Sequence, residues 1–300
     1  VNCKTIEIAK MIKFYFTLIF CLAFFLSYGD AISNQLSNDI KTGEIKVNVK
    51  KIAPEPVKWD TEIRELIFDD DDELKDGSHF MELFTPYRAA DAAIVPISIK
   101  FRKNQNEEDF VKYITIVADE NPSPIIGKFE FSLKTGKSDF STRIRIDKYT
   151  YVRAIAEMNN GEKYMVSNYV KAAGGCSAPS LADMDTVMAR LGKMKMKLIE
   201  TGEVGQLNKA QFIISHPNFS GLQFNQLTRS EIPAHFVDSI KVTQDNETIL
   251  NITSDISLSE DPSFTFHYLN TGGELDVTVT DSQGGVFSNK WPIEQILSSK

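Results

Sequence analysis

Cysteine is scarce in this sequence: of 300 residues only Cys3, Cys21 and Cys176 carry a thiol. The first two fall in an N-terminal stretch read below as a removable export signal. The mature chain would then hold one thiol and could form no internal disulfide. Uninterrupted apolar runs of the ~18 residues that a membrane-spanning helix needs are also missing, so no stable membrane anchor is expected. Positive charge is in deficit, with 33 Lys+Arg against 41 Asp+Glu and a net charge of -8, which argues against nucleic acid as a partner. Three motifs are absent as well. Without C-x-x-C-H there is no covalent haem, and without a glycine loop ending in Gly-Lys-Ser/Thr there is no phosphate cradle. The acidic run "FDDDDELKDG" lacks the spacing of a calcium loop and reads as a solvated turn.

At the amino terminus, "MIKFYFTLIFCLAFFLSYGDA" sets Lys13 before a short apolar core, with Gly29 and Ala31 at small-residue cleavage positions. This is the pattern of a secretory signal over 1–31, with a true start at Met11 and export as its consequence. Residues 32–75 hold Pro54 and Pro56 and little periodicity, and read as a partly irregular leader.

From Ile94 the texture changes. "IVPISIKF", "FVKYITIVAD", "GKFEFSL", "DFSTRIRI", "VRAIAEM" and "KYMVSNYV" alternate apolar and polar residues, the last two joined through Asn159-Asn160-Gly161. Period-two alternation closed by Asn-Gly is the pattern of antiparallel strands and hairpins. Residues 177–192 break it: Leu181, Met184, Met188 and Leu191 recur at helical spacing before Gly192, which predicts a short linking helix. "KMKMKL" then alternates again, and "AQFIISH", "FVDSIKVTQ", "ETILNITS", "SFTFHYL", "ELDVTVTD" and "GVFSNKW" repeat the all-β texture to the C-terminus. The fold expected is all-β: two sandwich domains, over 76–176 and 193–300, joined by a short helical linker.

The chemistry concentrates at "VKAAGGCSAPS". Gly174 and Gly175 widen the conformational range of the backbone ahead of Cys176, Ser177 and Ala178 keep the far side narrow, and Pro179 limits the flexible stretch. A nucleophilic thiol on such a hinge suits an arm that visits several partners. It does not suit a cysteine hydrolase, whose base must be held rigidly within hydrogen-bond distance. His216, followed by Pro217, and His235, within "IPAHF", are candidates for contact with the first domain or with the arm. Their spacing does not suit a zinc site with Cys176, and no metal, cofactor or catalytic residue is assigned. His267 alternates with Phe266 and Tyr268 on a strand and reads as structural.

On these residues the chain resembles two carrier families of bacterial sulfur oxidation, SoxY and SoxZ, fused in one polypeptide. "DFVKYITIVADENPSPIIGKFEF", "STRIRI" and "VRAIAEMNNGEKYMVSNYVKAAGGC" are similar to the SoxY core with its carrier cysteine. "AQFIISHPNFSGL", "IPAHFVDSIKV" and "SEDPSFTFHYL" are similar to SoxZ. The resemblance implies immunoglobulin-like sandwiches that pair within the chain. It also implies a non-catalytic role in the periplasm: Cys176 would hold a sulfur species covalently while partner enzymes act on it. Fused forms of this kind are similar to those found beside quinoprotein alcohol dehydrogenases, so a quinoprotein dehydrogenase and a c-type cytochrome stand with the sulfur-oxidation enzymes as expected partners. A second reading, an assembly module for such a dehydrogenase with the thiol secondary, stays open, as does a third, a cysteine-dependent transferase or reductase. One departure matters. SoxY ends shortly after its cysteine, whereas this chain runs on, so Cys176 lies on a loop tethered at both ends and with shorter reach. The carrier reading needs that sulfur to be reachable; a cysteine entombed between the domains, with its backbone rigidly paired and no route to solvent, would overturn it.

Overall fold

The computed structural model describes residues 53–69, 72–178, 184–226 and 228–292. The expected signal segment 1–31 lies outside them, as does the leader up to residue 52. From Pro54 onward the chain is one compact unit.

A short helical segment comes first, a wide turn at Trp59–Ile63 continued by α1 (Arg64–Ile67). Eight strands follow: β1 (Leu74–Asp76), β2 (Met81–Phe84), β3 (Val95–Phe101), β4 (Val111–Ala118), β5 (Ile125–Phe131), β6 (Phe140–Ile144), β7 (Thr150–Met158) and β8 (Lys163–Val170). Helix α2 (Met184–Ala189) leads into β9 (Met194–Glu200), β10 (Leu207–Ile214), β11 (Phe224–Asn225), β12 (Ser230–Glu231), β13 (Val237–Gln244), β14 (Glu247–Ser254), β15 (Ser263–Leu269), β16 (Leu275–Asp281) and β17 (Val286–Trp291).

The all-β expectation holds, and the alternation read from the sequence is the burial pattern. In β3, Val95, Ile97, Ile99 and Phe101 face inward while Pro96 and Lys100 face out, as a strand with one wet face requires. Alternation fails where a second layer covers the outer face. Val117 on β4 and Ile155 on β7 are buried there against Trp59, Ile63 and Phe68 of the N-terminal helical segment. On the same face Arg153 forms a two-pronged pair with Asp119 at 2.7 and 2.8 Å and lies 4.3 Å from the Trp59 ring centre. This helical segment was not foreseen in the leader.

The two domains do not merely touch. They share both sheets. One sheet has the order β1-β8-β7-β4-β5-β14-β13-β16-β17, the other β2-β3-β6-β15-β10-β9. The seams are β5 with β14, in register from Phe131↔Leu250 to Gly127↔Ser254, and β6 with β15, through Ser141↔Thr265 and Phe140↔Phe266. Between the layers lies one hydrophobic core to which both domains contribute. At its centre, Phe140 of the first domain stands 4.4 Å from Phe129 and 5.9 Å from Phe264 of the second, centre to centre. Sandwiches that share continuous sheets and one core are expected to unfold together. Phe140→Ala should therefore destabilise the whole unit by about 3–5 kcal/mol. Calorimetry should show a single transition moved to lower temperature; two separated transitions would mean independent domains.

Candidate functional site

Cys176 follows β8 by a few residues and sits in the crevice between the domains. Lys171 still bridges Arg88 in parallel, and its N–H donates to the Tyr87 carbonyl at 2.8 Å. The chain then bends inward. Gly174 takes φ +82°, a left-handed conformation that suits glycine, and donates its N–H to the Asp147 carbonyl at 2.8 Å. Gly175 donates to the Ile146 carbonyl at 2.8 Å. It also passes so close to the 89–94 loop that a Cβ at this position would lie 2.0 Å from the Ala92 carbonyl oxygen. From the second domain, the Ser220 hydroxyl donates to the Cys176 carbonyl, and the Gln223 side-chain amide donates to the Ala178 carbonyl at 3.1 Å.

Cys176 itself has 0% exposure. The flexible arm expected from Gly174 and Gly175 is thus not the arrangement seen: both amides are paired, and the glycines serve a left-handed bend and a close approach. The cysteine is sealed and its backbone paired, which is the condition set above against the carrier reading; that reading stands only if the seat opens to give the sulfur a route to solvent.

The sulfur's surroundings are polar on one side. Burial pushes the Cys176 thiol up to about 11, the Asp147 carboxylate adds to the rise, and the Arg145 guanidinium and a hydrogen bond with Ser257 hold it back. In this seat the thiol is protonated at neutral pH and a poor nucleophile. A thiol whose pKa is raised favours the seated form at pH below its ordinary value near 9, and that contribution is lost as pH rises towards 11.

Arg145 ties the seat together. It is 3% exposed and donates to the carbonyls of Asn218 and Leu258, both at 2.5 Å, and of Ile256 at 3.3 Å. Burial lowers its pKa, opposed by the charges of Cys176 and Glu260, and its Nε has no partner. Asn121 completes the frame: its side-chain amide donates to the Arg145 carbonyl at 2.8 Å and to the Ser257 hydroxyl at 3.0 Å, while its oxygen accepts from the Asp147 N–H at 2.9 Å. Alternation along "DFSTRIRI" placed Arg145 on the same outward face as Arg143. It lies instead just past the end of β6, where the face rule lapses.

His216 and His235 meet each other, with ring centres 4.7 Å apart, and share a residue the sequence reading did not single out. Asp281 Oδ2 lies 2.8 Å from His235 Nε2 and 3.4 Å from His216 Nε2, and Oδ1 accepts the N–H groups of Gln283 and Gly285 at 2.9 and 2.8 Å. Among the described residues this is the one cluster whose side chains could converge on a metal ion. The hydrogen bonding disfavours that. His216 Nδ1 accepts the Asn218 N–H at 3.0 Å, so the neutral ring carries its proton on Nε2, the atom a metal would need bare. The cluster acts as a brace. Burial and the neighbouring His235 lower His216 to about 4 against the pull of Asp281. For Asp281, burial acts upward, but hydrogen bonds from His235, Gly285 and Gln283 outweigh it and its pKa is lowered. The two Nε2 atoms turn to Asp281, not to the arm; what they stabilise is the 215–224 loop, whose Ser220 and Gln223 hold it.

Comparisons with known proteins bear on this site. The family model described as "Sulfur oxidation protein SoxY" matches residues 65–176, and that described as "Sulphur oxidation protein SoxZ" matches residues 196–292. No curated protein matches. Among solved structures, the sulfur carrier protein SoxY from Chlorobium limicola f thiosulfatophilum is 21% identical, covering 34% of this chain and 81% of that one, with a TM-score of 0.29. A superoxide reductase (neelaredoxin) from Ignicoccus hospitalis is 14% identical over 31% of this chain and 80% of that one, with a TM-score of 0.28.

Two outcomes follow from the seat. Gly175→Ala should expel the arm, since overpacking of this kind costs about 1–3 kcal/mol, and should speed alkylation of Cys176 by iodoacetamide about tenfold or more. Asp281→Ala leaves two buried imidazole N–H groups and two main-chain amides without their acceptor. It should lower stability by about 3 kcal/mol in denaturant titration and raise the same alkylation rate.

Proposed function

This chain belongs to the SoxY and SoxZ sulfur-oxidation carrier proteins, with both domains fused in one polypeptide, and from that membership we propose that it carries a sulfur intermediate covalently on Cys176. The observation that carries the reading is positional: the SoxY match ends on Cys176 itself, after the two glycines. The protein is proposed to work in the periplasm, delivered there by the 1–31 signal, and to be a carrier and not a catalyst.

The seated conformation is not the reactive one, so the carrier role requires the seat to open. Opening forfeits the hydrogen bonds of the arm and the burial of Cys176, while freeing residues 174–178 returns backbone entropy; the seated form is favoured at rest, and a partner's contacts shift the balance towards opening. Once in water the thiol returns towards its ordinary pKa and thiolate becomes available. Joining that thiolate to a thiosulfate sulfur makes one S–S bond and releases two electrons, which the proposed c-type cytochrome would accept. Attack on a sulfane sulfur transfers it without net oxidation, the displaced thiolate leaving with the bonding pair.

A second reading is favoured by one observation, the sealing of Cys176: an assembly module for a periplasmic quinoprotein dehydrogenase that uses the sheet surfaces and leaves the thiol unused. Cys176→Ser separates the two. The carrier role predicts complete loss of pathway function in cells, with thermal stability close to that of the parent protein. Retained function would leave assembly as the surviving account.

A further inference from the structure

We propose that the outward face of the six-stranded sheet, across the seam between the domains, is a binding groove for a neutral, extended oligosaccharide. The strand register sets five side chains in one row. Phe84 on β2 pairs with Ser98 on β3, Ser98 with Ser141 on β6, Ser141 with Thr265 on β15, and Thr265 with Gln211 on β10. All five point away from the core, because their neighbours Leu83, Ile97, Phe140, Phe264 and Phe212 are the buried positions of these strands. The row lines a groove of about 830 Å³, to which Glu82 and Arg143 also contribute. Small hydroxyl residues hold its three middle positions, with Phe84 and Gln211 at the ends. Three of the five come from the first domain and two from the second, so the groove exists only because the domains share this sheet.

The chemistry of the lining selects the ligand. Large β-branched and aromatic side chains suit the half-buried face of a sheet, yet three adjacent strands carry Ser, Ser and Thr here. No hydrogen bond joins the Ser98, Ser141 or Thr265 hydroxyl to another described residue. An apolar ligand would strip these hydroxyls of water and return nothing. An anion would find one cation, Arg143, whose Nη2 already donates to the Asp261 and Glu260 carbonyls at 2.7 and 3.4 Å, with the Glu82 carboxylate in the same lining to oppose it. A peptide strand matches its N–H and C=O groups to a sheet edge, and this is a face. A chain of hydroxyls fits: each Ser or Thr hydroxyl donates and accepts at once, as sugar hydroxyls do. At one end Gln211 adds a planar amide, whose Nε2 reaches Ser263 Oγ at 3.4 Å. At the other, Phe84 is 41% exposed, with Lys100 Nζ 5.1 Å from its ring centre, and offers an aromatic surface to a sugar ring. With strands ~4.8 Å apart, the four steps from Phe84 to Gln211 span about 19 Å, which suits several linked rings and not one monosaccharide.

The test is calorimetric titration of the full chain with cellotetraose and chitotetraose, with a blocked tetra-alanine peptide as the rival probe and insoluble chitin as a polymeric source in co-sedimentation. At least one of the two sugars should bind with a Kd of about 1 mM or tighter. Ser141→Leu/Thr265→Leu fills the middle of the groove without touching the core and should weaken that binding about tenfold or more; Gln211→Ala, at an exposed position, should weaken it about threefold. Co-sedimentation with chitin would assign a polymer as the source, and tetrasaccharide binding without it a free oligosaccharide. The groove is overturned if neither sugar gives saturable binding, if either variant binds as tightly as the parent, or if the peptide binds more tightly than both sugars. The proposal goes beyond the carrier reading and does not rest on it: Cys176→Ser should bind sugar as the parent does, whatever becomes of the pathway.

Discussion

The grip of two domains on one short stretch of main chain is the constraint on which everything else in this protein turns. Residues 174–178 form no regular structure, yet their polar groups are met by Asp147 and Ile146 from the first domain and by Ser220 and Gln223 from the second. A buried backbone must find such partners. The result is a cysteine that is buried, protonated and shielded. For the proposed carrier role, shielding between visits would protect the thiol from oxidants that favour exposed thiolates.

That grip needs its two jaws to hold still, and the shared sheets supply the rigidity. If the domains met only at faces they could slide, and sub-ångström shifts at Ser220 or Ile146 would loosen the seat. With β5 bonded to β14 and β6 to β15, the jaws are parts of two continuous sheets around one core. Arg145 then bolts the first domain to the Asn218 and Leu258 carbonyls of the second. The His216, His235 and Asp281 brace fixes the far jaw. Fusion of the two families in one chain fits this: each half completes the other's sheets.

The strands were legible because alternation is a direct imprint of a half-buried sheet, and nearly every long strand falls where "FVKYITIVAD", "SFTFHYL" or "ELDVTVTD" placed it. Other elements left no such imprint. Strand β1 sits in the acidic run and joins the sheet mainly through its backbone, parallel to β8, while β11 and β12 are too short to show a period. The sharing of sheets was illegible in principle, since β5 and β14 alternate the same way whether they are edges or neighbours. At the site, Cys176 and its glycines were visible, and so were both histidines, but not what they do. Gly-Gly reads equally as hinge or as close packing; the contact with Ala92 that decides between them is made by a residue over eighty positions away. Asp281 ends its strand before a Gln-Gly-Gly turn and so looks like a turn residue.

The central claim is that Cys176 is sealed at rest and released by local opening, without unfolding of the domains. The most direct measurement is the rate of its alkylation in the parent protein across low urea concentrations, alongside the global unfolding curve. Local opening exposes little surface, so the rate should be well below that of a free thiol and nearly independent of urea until the unfolding transition begins. A rate that climbs with urea from the first additions, in step with the global equilibrium, would show a permanently buried structural cysteine and contradict the account.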